Sequence, residues 1–148
     1  MRQEIKNWLN NVRLGHFNER ALVIVGGKSS GKTTFAKLAA QKCGLIRTEQ
    51  YVFINAAVTE TKFFVDSVRQ YSMIVIDADE LDVDEVIERL KPIVSNRQIH
   101  VDRLGKSSIM VNNRMNFMIL TEKYEPPAAS RRVLVASPIY AMNVLTEI

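Results

Sequence analysis

One cysteine in the chain leaves nothing for it to form an internal disulfide with, so covalent cross-linking contributes nothing to the fold. Cys43 falls on a predicted helix, where a lone thiol is a small core or surface residue rather than a nucleophile. No run of 18 apolar residues is present, which excludes a simple membrane-spanning helix. Residues Met1 to Asn11 are polar and amphipathic rather than a basic segment followed by an apolar one, so no signal segment is read and a cytoplasmic protein without a membrane partner is expected. Internal repeats and long polar tracts are also lacking. What remains, 148 residues with 47% apolar content, describes one domain, 1–148, able to bury a real core.

The net charge of +4 is too modest to announce a nucleic-acid binder by itself. Its distribution is uneven. Residues 1–95 carry 13 Lys and Arg against 12 Asp and Glu, whereas residues 96–148 carry 7 against 4, so a polyanion would meet the second half first.

Ile5, Trp8, Leu9 and Val12 recur at helical spacing before Gly15, predicting an N-terminal helix within residues 1–16. Strands are predicted at 21–26, 51–55, 72–77, 115–122 and 132–137, three of them continuous apolar runs of the kind buried on both faces. Helices are predicted at 31–44, at 60–70 with Phe63, Phe64 and Val68 on one face, and from an N-cap at Asp82 with Glu85 three residues on. Strands alternating with helices argue for an α/β domain with a mainly parallel sheet covered on both faces. Residues 98–112 differ: "QIHV" and "SIMV" alternate around "DRLGKS", where Gly105 suits a tight turn, and so predict a β-hairpin.

"GGKSSGKTT" carries the chemistry. Gly26, four residues, then Gly31, Lys32 and Thr33 form the P-loop pattern, fed by a buried strand and opening a helix. Gly26, Gly27, Lys28, Ser29, Ser30, Gly31, Lys32, Thr33 and Thr34 are the predicted nucleotide-binding residues. Backbone N–H groups and the helix N-terminus favour phosphate, Lys32 would reach the terminal phosphates of ATP, and the Thr33 hydroxyl would ligate Mg2+. Such a loop requires an acidic strand end, which "MIVIDADEL" supplies. Asp77 is the expected metal acid, and Glu80, with Asp79 as the alternative, the expected water-activating carboxylate.

The succession of parts resembles the motor domain of superfamily 3 helicases, the AAA+ motors of small DNA viruses, phages and plasmids, papillomavirus replicative helicases among them. It runs from about residue 17 to 137, through "GGKSSGKTT", "YVFINAAVTETKFFVDSVRQYSMIVID", "IHVDRLGKSSIMV", an apolar strand ending "LTE", and "ASRRVLVAS". The resemblance implies a three-layer AAA+ P-loop ATPase and a DNA helicase acting in replication, with ATP and Mg2+ as cofactors, at work in the cytoplasm or at a host-cell replication site. It also implies a homo-oligomeric, hexameric ring around single-stranded DNA, RNA not being distinguished. The 98–112 hairpin would project into the channel, with Lys106 at the family's tip position and Arg103 beside it gripping phosphates. Thr121 would contact nucleotide from the sensor strand, and Arg131, or else Arg132, would be the arginine finger reaching a neighbouring subunit's site. Two departures are visible: Ala78 stands where a second acid commonly follows the first, and Glu122 where the family carries an amide, which can donate a hydrogen bond as an ionised carboxylate cannot. These departures suit an alternative, an AAA+ module that binds DNA or a partner without unwinding. A small P-loop kinase is a second alternative, although "FINAAVTETKFF" offers no acceptor pocket.

Overall fold

A computed structural model describes residues 1–45, 50–79, 82–126 and 133–148. Five parallel strands form the central sheet in the order β2-β3-β6-β1-β7, with β1 at Ala21–Val25, β2 at Tyr51–Asn55, β3 at Met73–Asp77, β6 at Asn116–Thr121 and β7 at Val133–Ala136. The three central strands are the apolar runs: β1 and β3 are buried at all but their last residue, and β6 throughout.

Alternation along each strand distributes its side chains between two cores. Leu22, Ile24, Met73, Val75, Met118 and Leu120 face α1 (Arg2–Arg13), α2 (Lys32–Lys42) and α5 (Pro138–Leu145). Val23, Ile74, Ile76, Phe117 and Ile119 face α3 (Phe64–Val68), α4 (Val83–Val94) and the hairpin of β4 (Gln98–Arg103) and β5 (Lys106–Asn112). The result is the expected α/β three-layer sandwich, with the antiparallel hairpin outside the main sheet.

Several boundaries and one whole element differ from the sequence reading. The predicted helix at 60–70 is shortened to the five-residue α3, preceded by a 3-10 turn at Ala56–Glu60; only Phe64 and Val68 of its expected face are buried, while Phe63 is half-exposed. Asp82 caps α4, its carboxylate accepting the Asp84 N–H at 2.9 Å, but Glu85 pairs with Arg89 instead of completing a capping box. Helix α5 has no counterpart in the sequence reading. Ser137 is its N-cap, accepting from the Tyr140 N–H, and Pro138 occupies its first turn, where a missing N–H costs nothing.

Buried amides organise the ends of these elements. Asn116, 1% exposed at the start of β6, accepts from the backbone and side-chain nitrogens of Asn18 (2.8 and 2.9 Å) and donates to the carbonyls of His16 and Ser72 (3.1 Å each). Asn113 donates to the carbonyls of Ile93 (2.7 Å) and Asn96 (3.0 Å), so the residue leaving the hairpin caps the C-terminus of α4. Among the described residues, no helix is long and apolar enough to cross a membrane.

Candidate functional site

The carboxyl ends of β1, β2 and β3 open onto one cavity of about 550 Å³, lined by Gly27 to Thr34 together with Asn55, Asp77 and Asp79. Strand order explains the convergence: β2 lies beside β3 with Asn55 opposite Asp77, while β6 bridges β3 and β1. The end of β6 is tied to both functional loops, since Gly26 N–H donates to the Thr121 carbonyl (3.0 Å) and Ala78 N–H to the Leu120 carbonyl (2.8 Å).

Two glycines in the loop are required for different reasons. Gly31, the N-cap of α2, has φ +97°, a left-handed conformation costly for other residues. Gly26 is required by space: a Cβ there would lie 2.4 Å from Ser30 Oγ and 3.1 Å from the ring of Pro138. Gly31 has no side chain to cap α2, so the helix's first-turn N–H groups, which lack intrahelical partners, remain for a ligand at the positive end of the helix dipole.

Lys32 is 6% exposed yet reaches the cavity. Its ammonium donates to the carbonyls of Gly26 (2.5 Å) and Gly27 (3.1 Å) and lies 3.3 Å from Asp79 Oδ1. That buried carboxylate oxygen has no hydrogen-bonded partner, so the ammonium is its only compensation among the described residues. Asp77 is exposed at the end of β3, and its carboxylate accepts the Asp79 N–H at 3.1 Å. Both Thr33 and Asp77 line the cavity. Two oxygen donors of this kind fit Mg2+, which usually takes one or two protein ligands and completes its octahedron with phosphate and water. No cluster of three or more acidic, His or Cys ligands exists among the described residues.

Thus Gly27 to Thr34, Asp77 and Asp79 come together in the cavity, whereas Gly26 does not line it and is tied to the Thr121 carbonyl. Thr121 does not line it: the residue is 3% exposed and its hydroxyl donates to the Lys123 carbonyl at 3.2 Å. Glu122, half-buried beside it, holds a buried Oε1 without a hydrogen-bonded partner. Glu80, Arg131 and Arg132 lie outside the described residues. Asn55 is a cavity residue that sequence reading missed, because only the strand order brings it to Asp77.

A second concavity, about 670 Å³, lies at the hairpin tip between Lys62 and Phe63 on one side and Asp102, Arg103 and Gly105 to Ser108 on the other. Gly105, at φ +67°, makes the turn, and Leu104 beside it is 76% exposed. Lys106 is exposed and forms no ion pair among the described residues, whereas Arg103 is half-buried and donates through Nε to the Ser107 carbonyl at 2.9 Å. Asp102 is engaged by the Ser108 hydroxyl at 2.7 Å. Lys62, 5.5 Å from the Phe63 ring centre, adds a third cation and an aromatic face to the cleft. Helical periodicity places Phe63 on a helix face, but α3 begins only at Phe64, and Phe63 lines the cleft beside the hairpin instead.

Residues 24–132 match a family of unknown function, DUF5906. No curated protein matches the chain in sequence. Two apo structures of the NrS-1 C-terminal region share its fold, one with TM-score 0.70 at 18% identity and one with 0.70 at 15%; each match covers 96% of this chain and 38% of that one. A JCV helicase matches with TM-score 0.59 at 16% identity, over 93% of this chain and 41% of the other. The chain thus spans about two fifths of the length of these structures. At such identities the likeness is one of fold.

Proposed function

The chain belongs to the DUF5906 family, and we propose that it is the ATP-hydrolysing motor domain of a helicase, moving on single-stranded DNA as a hexameric ring. The observation that carries this reading is the cavity in which uncapped α2 N–H groups and Lys32 face Asp77 and Asp79. Cationic and hydrogen-bond-donating groups on one wall with carboxylates on the other suit a polyphosphate bound with a metal. Thr33 and Asp77 would hold Mg2+, which supplies charge neutralisation on the phosphates. Lys32 would orient the terminal phosphates, while Glu80, with Asp79 as the alternative, would accept a proton from the attacking water. Arg131 of an adjacent copy would complete the site in an assembled ring.

At the hairpin, Lys106, Lys62 and Arg103 would hold the phosphate backbone while Phe63 offers a ring to a base, a combination that tolerates any sequence. A second reading is favoured by Glu122: an ionised carboxylate there cannot donate to a phosphate or water, which suits a module that binds nucleotide and DNA without turnover. ATPase rate with and without single-stranded DNA decides. DNA-stimulated hydrolysis abolished by Lys32→Ala supports the motor, nucleotide binding without turnover supports the module, and phosphorylation of a small molecule would overturn both.

A further inference from the structure

We infer that Asp79 is a positioning residue that competes with nucleotide phosphate for Lys32, and thereby makes tight nucleotide binding depend on Mg2+; this rests on the phosphate-site reading above. An ammonium carries three N–H donors. Lys32 has three oxygen neighbours, at 2.5, 3.1 and 3.3 Å, and its side chain is almost wholly buried. Two of these are hydrogen bonds and the third is an ion pair without one, so a phosphate oxygen drawn to the ammonium competes with the Asp79 charge rather than with a hydrogen bond.

Two of the three are neutral carbonyls, so the anionic competitor is Asp79. Release has a specific cost. The Asp79 Oδ1 is buried and has no hydrogen-bonded partner, so withdrawal of Lys32 leaves a bare carboxylate oxygen facing an arriving polyanion. A metal ion with its bound water reverses both penalties, offsetting the like charge and presenting O–H donors to the carboxylate. The backbone N–H of Asp79 is held by the carboxylate of Asp77 at 3.1 Å, so the residue expected to take the metal and the residue holding Lys32 belong to one turn. The two ligands are therefore coupled through the Asp77–Asp79–Lys32 chain.

The test is ADP affinity, measured by calorimetry in EDTA and in excess Mg2+, for the wild type, Asp79→Asn and Asp79→Glu. Asp79→Asn keeps the shape and removes the competing charge. Its metal-free affinity is expected to rise about tenfold, and the gain on adding Mg2+ to shrink by a similar factor, as reciprocal coupling demands. Asp79→Glu, which keeps the charge, should retain the wild-type metal dependence. A merely structural role for Asp79 would lower both affinities together and leave their ratio unchanged. Should Asp79→Asn fail to fold, Asp79→Ser provides the same comparison. Nucleotide binding by the wild type with an unchanged metal ratio in the neutral variants overturns the inference alone. A wild type that binds no nucleotide in either condition overturns the phosphate-site reading, and this inference with it.

Discussion

Gly26→Ala would test whether helix α5 shapes the phosphate loop. The backbone at Gly26 is outside the left-handed region, so alanine meets a purely steric obstacle. Its Cβ would stand 2.4 Å from Ser30 Oγ and 3.1 Å from both Cδ and Cγ of Pro138, against about 3.5–4.0 Å for an ordinary carbon contact. The shorter contact is the cheaper one. Ser30 is exposed, and rotation about a single bond clears its hydroxyl. Pro138 is a rigid ring in the first turn of α5, whose Ala141, Val144 and Leu145 are buried in the first core, so the ring yields only if the helix shifts by about 0.4 Å. Overpacking of this kind costs about 1–3 kcal/mol, and about 2 kcal/mol lowers the melting temperature of a domain this size by roughly 6 °C. Calorimetric melting of a double-mutant cycle apportions the cost: Gly26→Ala with Pro138→Ala should recover most of the loss, and Gly26→Ala with Ser30→Ala little of it. A Gly26→Ala protein that melts like the wild type, or one rescued by the serine change alone, would refute the argument.

Other substitutions probe separate parts of the molecule. Asn116→Ala should cost about 3–5 kcal/mol in urea unfolding, because it strands the Asn18 N–H groups and the His16 carbonyl in the interior, while nucleotide affinity of the folded protein is retained. Lys106→Ala should weaken single-stranded DNA binding at low salt and reduce the slope of log K against log salt by about 1, with Lys62→Ala acting similarly; unchanged slopes in both would remove the hairpin cleft from the binding surface. Burial raises the Cys43 thiol to about 11, so folding favours its neutral form. The associated stability is complete below the unfolded value near 9 and is lost as pH rises toward 11, by at most roughly 1.4 kcal/mol per pH unit. Cys43→Ala should therefore show a flatter decline than the wild type in thermal melts across that interval.

The central strands were legible because a run such as "MIVID" is buried on both faces and needs no partner information to be read. The P-loop was legible for a related reason, its geometry being encoded within nine consecutive residues. Helix α5 was not, since "PIYAMNVL" is apolar around most of its circumference and leaves no polar face to set a period. Partners distant in sequence were equally hidden. Asn18 and Asn116 are 98 positions apart, and neither signals that the other will complete its hydrogen bonds. Phe63 shows the opposite error, in which periodicity suggested a helix that the 3-10 turn cuts short. For Thr121, the motif indicated the right strand end but not the direction of the hydroxyl.

Helix α4 has both of its ends fastened. Its N-terminus is capped by the Asp82 carboxylate, and Asn113 at the foot of the hairpin donates to the Ile93 carbonyl in its last turn and to the Asn96 carbonyl just beyond it. Twelve residues make a strut about 18 Å long. The base of the hairpin is thereby held to the end of that strut, and its position is set by the helix as much as by the β4–β5 pairing.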